Sequence, residues 1–218
     1  MAESEEELQK MIDSIKVTCQ EYGMALNEKK TKTMIVSKNN QKTLKIKVDE
    51  QVLEQVKRYD YLGTVTTEDG RSLAEVKKRI GIAKSAFWKH GELLRNRVSI
   101  KTKKKILECY IHSTMMYCCE TWTITNEIKR RIEAFEMWCY RRILKISWKD
   151  HVTNEEVLRR VGEERKLNQK IYRRKLKFAG HVIRGSSGEM TKNIIEGFIE
   201  GKKSRGRQRN MWLDNIKE

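Results

Sequence analysis

Lysine and arginine are the residues best placed to do chemistry in this chain, and the chemistry they suggest is recognition of polyanions. Residues 71–110 hold twelve bases against three acids, and residues 159–184 hold ten against two. A third run, GKKSRGRQR, extends from Gly201 to Arg209. Blocks of one sign attract phosphates and mark a backbone-tracking surface. Solvated lysine-rich helix faces are the plainer reading of any one block. Three separate blocks of the same sign favour contact with nucleic acid.

Chemistry that would transform a substrate is harder to find. Phosphoryl transfer through two metals needs closely placed carboxylates on rigid elements. Asp13, Asp49, Asp60, Asp69, Asp150 and Asp214 are isolated, and no Asp-Asp pair occurs. The glutamate runs Glu5-Glu6-Glu7, Glu155-Glu156 and Glu163-Glu164 suit helix starts better than metal sites. Neither a phosphate-cradling glycine loop nor a nucleophile elbow nor His-Glu-x-x-His is present. Cys109, His112, Cys118 and Cys119 crowd together among Tyr110, Ile111, Met115 and Met116, with no second ligand pair, so an apolar helix face explains them better than zinc. His181 reads as a packing or capping histidine. No metal ion and no other cofactor is expected, and no catalysis by this chain alone.

These side chains belong to a chain of 218 residues with a formal net charge of +17, of which 38% are hydrophobic and 35% charged. That is polar for a folded chain but not polar enough for wholesale disorder. The longest stretch without Asp, Glu, Lys or Arg is Cys109 to Cys119, far short of the ~20 residues that span a bilayer. The acidic N-terminus, MAESEEELQ, is unlike a secretory signal, and five irregularly spaced cysteines are unlike a disulfide framework. An intracellular protein, nuclear or cytoplasmic and not secreted, with no membrane partner, is expected.

Periodicity predicts a helix from about Glu5, through Leu8, Met11, Ile12 and Ile15, to a stop near Tyr22-Gly23. Strands are predicted over Thr31–Ser37 and over TLKIKV, where Leu44, Ile46 and Val48 alternate with lysines, before a turn at Asp49-Glu50. From Arg71 onward the pattern is helical. Leu73, Val76, Ile80, Ala83 and Phe87 make one stripe; Ile100, Leu107, Tyr110, Ile111 and Met115 make another behind a Ser99 N-cap. A third runs from about Asn126 through Ile128, Ile132, Phe135, Cys139, Ile143 and Ile146. Thr153 to Glu156 is a capping-box pattern before Val157 and Val161. A basic helix with Leu167, Ile171, Leu176 and Phe178 follows, then an amphipathic one with Ile194, Ile195, Phe198 and Ile199. Trp88, Trp122 and Trp138 adjoin apolar stripes and are expected in the core, while Trp148 and Trp212 adjoin polar sequence and could stack bases. The fold class expected is mainly α with a small β-rich N-terminal segment, divided as 1–68, 71–149 and 150–218.

The ordered series of segments resembles the end of the reverse transcriptase of LINE-type (non-LTR) retrotransposons. In that family a helix ending in Gly-Leu precedes an Asn-x-x-Lys-Thr-Lys segment and a strand of the palm; Gly23, Asn27, Lys30, Thr31 and Lys32 match it. Tyr61-Leu62-Gly63 matches the hairpin of the primer grip. The stretch from KRIGIAKSAFWKHGELLRN to MMYCCETWTIT is similar to the thumb helices, and LKFAGHVIRG with GKKSRGRQRNMWLDNIKE is similar to the tail. The resemblance implies a palm remnant with its primer-grip hairpin, then a helical thumb and a helical tail. Asp49-Glu50 stands where the family often has a glycine. The family's catalytic Ala-Asp-Asp strand would lie just before Met1. The resemblance therefore implies a truncated RNA-directed DNA polymerase that lacks its catalytic aspartates, with Mg²⁺ needed only by the full-length enzyme.

A thumb holds a primer–template duplex by its phosphates. Lys77, Lys78, Arg79, Lys84, Lys101, Lys103, Lys104 and Lys105 are the expected contacts, with Arg205, Arg207 and Arg209 as a flexible arm. The expected partner is an RNA–DNA or DNA duplex, with the missing polymerase portion supplied in trans as a further one. The alternative is a remnant that does not bind nucleic acid, or a helical protein-interaction module.

Overall fold

The computed structural model describes residues 2–36, 43–96, 98–185, 191 and 211–217. The chain divides into two compact units, Met1–Arg71 and Ser72–Glu218. It is mainly α, and the described β ladders are short and lie in the first unit.

The first unit opens with α1 (Glu5–Glu21), capped by Ser4, whose hydroxyl accepts from the Glu7 N–H at 3.1 Å. Its three first-turn glutamates suit the positive end of the helix dipole. The stop is a glycine turn: Met24 N donates to Cys19 O at 2.8 Å and Gly23 N to Gln20 O at 3.0 Å. Gly23 adopts φ +65°, where a side chain would be strained. The Gln9 amide then clasps the Lys47 backbone, donating to its carbonyl at 2.8 Å and accepting from its N–H at 2.9 Å. A side chain so takes the place of a neighbouring strand beside β2 (Lys47–Val48).

β2 turns through Asp49-Glu50 into antiparallel β3 (Gln51–Val52), with Asp49 at φ +54° and ion-paired to Lys16. β1 (Lys32–Thr33) pairs in parallel with β4 (Glu54–Gln55). β5 (Arg58–Tyr61) and β6 (Thr64–Thr67) form a hairpin closed by Leu62 and Gly63, both at positive φ, the conformation that follows strand twist in a two-residue turn. Ile46, Val48 and Leu53 are the small core of the first unit, covered by Leu8, Ile12, Leu26 and Leu44. Three expectations need correcting. The strand predicted over Thr31–Ser37 shrinks to Lys32–Thr33 and the one over TLKIKV to Lys47–Val48, because only those stretches meet a partner strand, and Ser37 lies outside the described residues. Met11 and Ile15 of α1 stay exposed rather than joining Leu8 and Ile12.

The second unit packs α2 (Leu73–Lys89), α3 (Gly91–Arg95), α4 (Ile100–Ile106), α5 (Ser113–Met115), α6 (Asn126–Ile143), α7 (Asn154–Val161) and α8 (Leu167–Ile183) around one core. Val76, Ala83 and Phe87 meet Ile128, Ile132, Phe135 and Cys139, the faces that periodicity predicted. A full burial such as Phe87 contributes roughly 1.5–3 kcal/mol. Between α4 and α5 the chain widens into a π-helical stretch, Leu107–His112. Leu107, Ile111 and Met115 repeat every four residues, which over-rotates an α-helix by about 40° a step. The wider turns absorb part of that drift, and Tyr110, expected in the stripe, faces solvent instead.

α8 holds a second departure. Its inward face reads Leu167, Ile171, Lys175 and Ala179, so Leu176 is exposed and a lysine is fully buried. Lys175 Nζ donates to the Trp122 and Asn215 side of the core, reaching the Trp122 carbonyl and Asn215 Oδ1, and lies 4.4 Å from the Trp212 ring centre. Asn215, in the last short helix (Asp214–Lys217), locks the Ile124 backbone from both sides: its Oδ1 accepts from Ile124 N at 2.6 Å and its Nδ2 donates to Ile124 O at 2.8 Å. With no carboxylate in that set, burial lowers the Lys175 pKa to about 8. The amphipathic helix predicted around Ile194, Ile195, Phe198 and Ile199 lies outside the described residues.

Glu136 of α6 caps α8 from outside. Its Oε1 accepts from Lys166 N at 3.0 Å, Leu167 N at 3.2 Å and the Tyr140 hydroxyl at 3.3 Å. It is 1% exposed, and burial raises its pKa even against those donors. Glu136→Ala should leave the buried Leu167 N–H and the half-buried Lys166 N–H unpaired and cost about 2–3 kcal/mol in urea unfolding, with Glu136→Gln closer to wild type because it keeps an acceptor.

His112 sits beside this cluster, buried, with neither ring nitrogen hydrogen-bonded within the protein. Burial first, and the Lys170 charge second, lower its pKa to about 4. Between pH 6.5 and 4 the unfolded chain therefore binds a proton that the folded chain refuses, so stability falls as pH falls. The full window is worth on the order of 3 kcal/mol. Urea midpoints measured from pH 7 to pH 4 should drop less in His112→Leu than in wild type.

Candidate nucleic-acid interface

α2 and α4 position the cations that the sequence singled out. On α2, Lys77 and Lys84 are seven residues apart and so share a face. Lys77 is exposed, and Lys78 and Lys84 are half-buried. Arg79 is buried instead: its guanidinium meets the Glu75 carboxylate at 2.6 Å and stacks 4.3 Å over the Tyr117 ring. On α4, Lys101 and Lys105 are exposed one turn apart. Lys103 lies on the inward side and is 7% exposed. Lys104 binds Glu163 at 2.9 Å and donates to Val161 O at 3.3 Å, pinning α4 to the end of α7. Arg79, Lys103 and Lys104 are thus structural cations, corrected from the expected phosphate-facing set, because a helix facing a core on one side cannot show every base to solvent. Arg205, Arg207 and Arg209 lie outside the described residues.

The palm-like residues of the first unit take separate positions. Gly23 ends α1, and Asn27 nucleates the next turn, where Lys30 N meets Asn27 Oδ1 at 3.1 Å and Thr31 N meets Asn27 O at 2.9 Å. Lys32, on β1, is ion-paired with Glu54 of β4, and Lys30 is exposed. Tyr61, Leu62 and Gly63 form an exposed hairpin tip, with Tyr61 and Leu62 presenting large side chains to solvent.

The second basic block is largely neutralised from within. Arg159 and Arg160 share Glu156, Arg165 pairs with Glu133, Lys166 with Glu163, Lys170 with Glu108, and Arg174 with Glu120. The effect on the acids is direct. Hydrogen bonds from Arg159 and Arg160 hold the Glu156 carboxyl down at about 2, and those from Lys166 and Lys104 lower Glu163. Adding the buried Lys175, seven of the ten bases in 159–184 have partners inside the fold. Sequence alone gave this block the same weight as residues 71–110. Glu156 and Glu163 pair locally, three or four residues away, but Glu133 of α6, Glu108 of the π-helical stretch and Glu120 are far off in sequence, and only the packing brings them in.

The structure assembles something the sequence reading missed. Arg142 of α6 lies 5.3 Å from the Trp88 ring centre and 5.6 Å from that of Trp138. Lys84 Nζ lies 5.3 Å from the Trp138 centre, and Arg95 5.7 Å from that of Trp88. The two rings meet edge to face at 5.9 Å. Trp88, expected in the core, is 46% exposed, whereas Trp122 is fully buried as expected. A ring face holds a cation without cancelling its charge. For Arg142 the signal was present as Trp138–Arg142, four residues apart on one helix face, whereas the Lys84–Trp138 contact joins α2 to α6 and had none.

The cysteines and His112 do not converge with carboxylates: among the described residues no group of three or more His, Cys, Asp or Glu is placed to hold a metal ion. Cys109 is exposed and Cys119 buried, and burial pushes the Cys119 thiol up to about 12. Among the described residues no helix is long and apolar enough to cross a membrane.

No protein-family model matches the chain, and no solved structure matches it significantly. It is similar to an uncharacterized transposon-derived protein of Caenorhabditis elegans, 23% identical over 219 residues that cover 96% of this chain and 77% of that protein.

The partition of lysines is directly measurable. Amine-reactive labelling read by mass spectrometry should modify Lys77, Lys101 and Lys105 fast in the folded protein. Lys103 and Lys175 should react only on unfolding, with protection that equals the folded-to-unfolded ratio.

Proposed function

We propose that this chain derives from a transposable element of the non-LTR class, and that its helical unit binds the sugar–phosphate backbone of a primer–template duplex as a reverse-transcriptase thumb does. The observation that carries the reading is the uneven use of charge: seven of the ten bases in 159–184 have partners inside the fold, while Lys77, Lys101 and Lys105 remain exposed on α2 and α4. The order of palm-like, hairpin and thumb-like segments and the transposon-derived relative support it. Binding would be sequence-independent, since phosphate contacts position a duplex without reading it. Within these residues no paired aspartates are available to hold catalytic metals, so we read the activity as binding without polymerisation.

A second reading rests on α1. Met11 and Ile15 are exposed there one turn apart on one face, an apolar surface suited to a protein partner or to polymerase sequence supplied in trans.

Anisotropy titration of a labelled RNA–DNA duplex at rising salt tests the first reading. About six phosphate contacts give a log–log slope near −5 on duplex DNA. Replacing Lys101 and Lys105 together with Ala should shallow the slope by roughly 2, whereas replacing Arg159 and Arg160 should leave it alone. An affinity that does not respond to salt would sink the proposal.

A further inference from the structure

We infer that the groove beside Trp148 takes an unpaired nucleotide, so that the helical unit binds single-stranded nucleic acid as well as, or next to, a duplex. This deepens the nucleic-acid reading and rests on it only for the duplex arm.

Trp148 is 79% exposed, more than any other tryptophan, which is costly for so large an apolar ring unless something covers it. Nor is it a loose side chain on a loose loop. It begins a single helical turn, Trp148–Asp150, closed by a reciprocal cap: Asp150 Oδ2 accepts from Ser147 N at 2.7 Å, and Ser147 Oγ accepts from Lys149 N at 3.4 Å. His151 leaves the turn at φ +48°. The ring is thereby held out on a fixed mount.

A groove of about 490 Å³ opens beside it, lined by Trp138, Trp148, Arg141, Arg142, His151 and the apolar edges of Ile146 and Val152. Arg141 fixes one wall, donating to Val152 O at 2.7 Å and Asn154 Oδ1 at 3.0 Å. Arg142 is exposed and held by the Trp88 and Trp138 rings, not by an acid. No carboxylate lines the groove, and the turn's own Asp150 is committed to Ser147.

An exposed π-face, a second indole and two guanidinium groups suit a base and its phosphate. Stacking on Trp148 accepts any base, and the exposed Arg142 meets the backbone while Arg141 holds the wall. Bases inside a duplex are stacked on both sides and have no free face to insert, so the occupant is an unpaired base. An acidic peptide would satisfy the arginines but leave Trp148 uncovered.

The test uses the full chain and three labelled probes: an oligothymidylate, a blunt RNA–DNA duplex, and the same duplex with a single-stranded extension. Wild type should bind the extended duplex about 5- to 150-fold more tightly than the blunt one, the range for one stacked base. Trp148→Ala should abolish that difference and weaken oligothymidylate binding while leaving blunt-duplex affinity in place. Trp148→Phe should retain most of it, since a smaller ring still stacks. An extension that confers no advantage, or an advantage that survives in Trp148→Ala, overturns the inference while the duplex reading stands. Trp148-dependent oligothymidylate binding with no blunt-duplex binding supports it while the duplex reading falls. Displacement of the oligothymidylate by polyglutamate of equal charge would assign the groove to an acidic protein, and also overturns it.

Discussion

The Glu136 carboxylate is the contact on which the helical unit turns. It sits on α6, yet it supplies the cap that α8 lacks, because Lys166 at the head of α8 offers no side-chain acceptor. The initial N–H groups of a helix have no partners of their own, and burying them bare is costly. Meeting them from a different helix sets where α8 starts and how it is turned. Once that is set, Lys170 faces Glu108, Arg174 faces Glu120 and the Met116 carbonyl, and Lys175 points into the core. A local capping serine would have started the helix without orienting it against α6.

That orientation decides what charge is left over. With 47 bases and 30 acids, the fold cannot pair every cation, and it does not distribute its carboxylates evenly. The acids that reach α7 and α8 hold helices together, and their pairs are mostly half-exposed, so each contributes little to stability. Their larger effect is on the field outside the protein. Pairing weakens the far potential of residues 159–184, while Lys77 of α2 and Lys101 and Lys105 of α4 stay exposed, so the two basic blocks do not present charge to solvent alike.

Much of the fold was legible in the sequence where a residue's type agreed with its face. The stripes of α2 and α6 are apolar at steps of three and four, and those residues are buried. Thr153 and Ser99, read as caps, do accept the N–H groups of Glu156 and Thr102. Legibility failed where type and face disagreed. Lys175 occupies a core position, so α8 looked solvated along its true inward face and Leu176 looked buried. Tyr110 was misplaced because a π-helical stretch cannot be seen from spacing measured in α-turns. The strands were overextended because a hydrophobic run states a preference for pairing but not whether a partner strand exists. Of the candidate site, the lysines of α2 and α4 were visible as a block, but which of them are free depends on carboxylates far away in sequence.

The cluster of Lys84, Trp88, Arg95, Trp138 and Arg142 shows how a cation can be ordered without being neutralised. A carboxylate fixes an arginine well but removes the charge that a phosphate would meet. An indole face attracts the guanidinium through its quadrupole, adds roughly 0.5–1 kcal/mol at an exposed site, and leaves the net charge intact. Arg142 lies over two such faces, and Trp138 itself is anchored by Phe87 and Phe135 of the core. The ordering cost of the long side chain is therefore met before any ligand arrives, which is the condition for binding a phosphate with less entropic loss. A surface shaped only for solubility has no need of that arrangement, since free lysines keep a protein dissolved equally well. Retained charge with fixed position is the property that separates this face of the helical unit from its other basic helices.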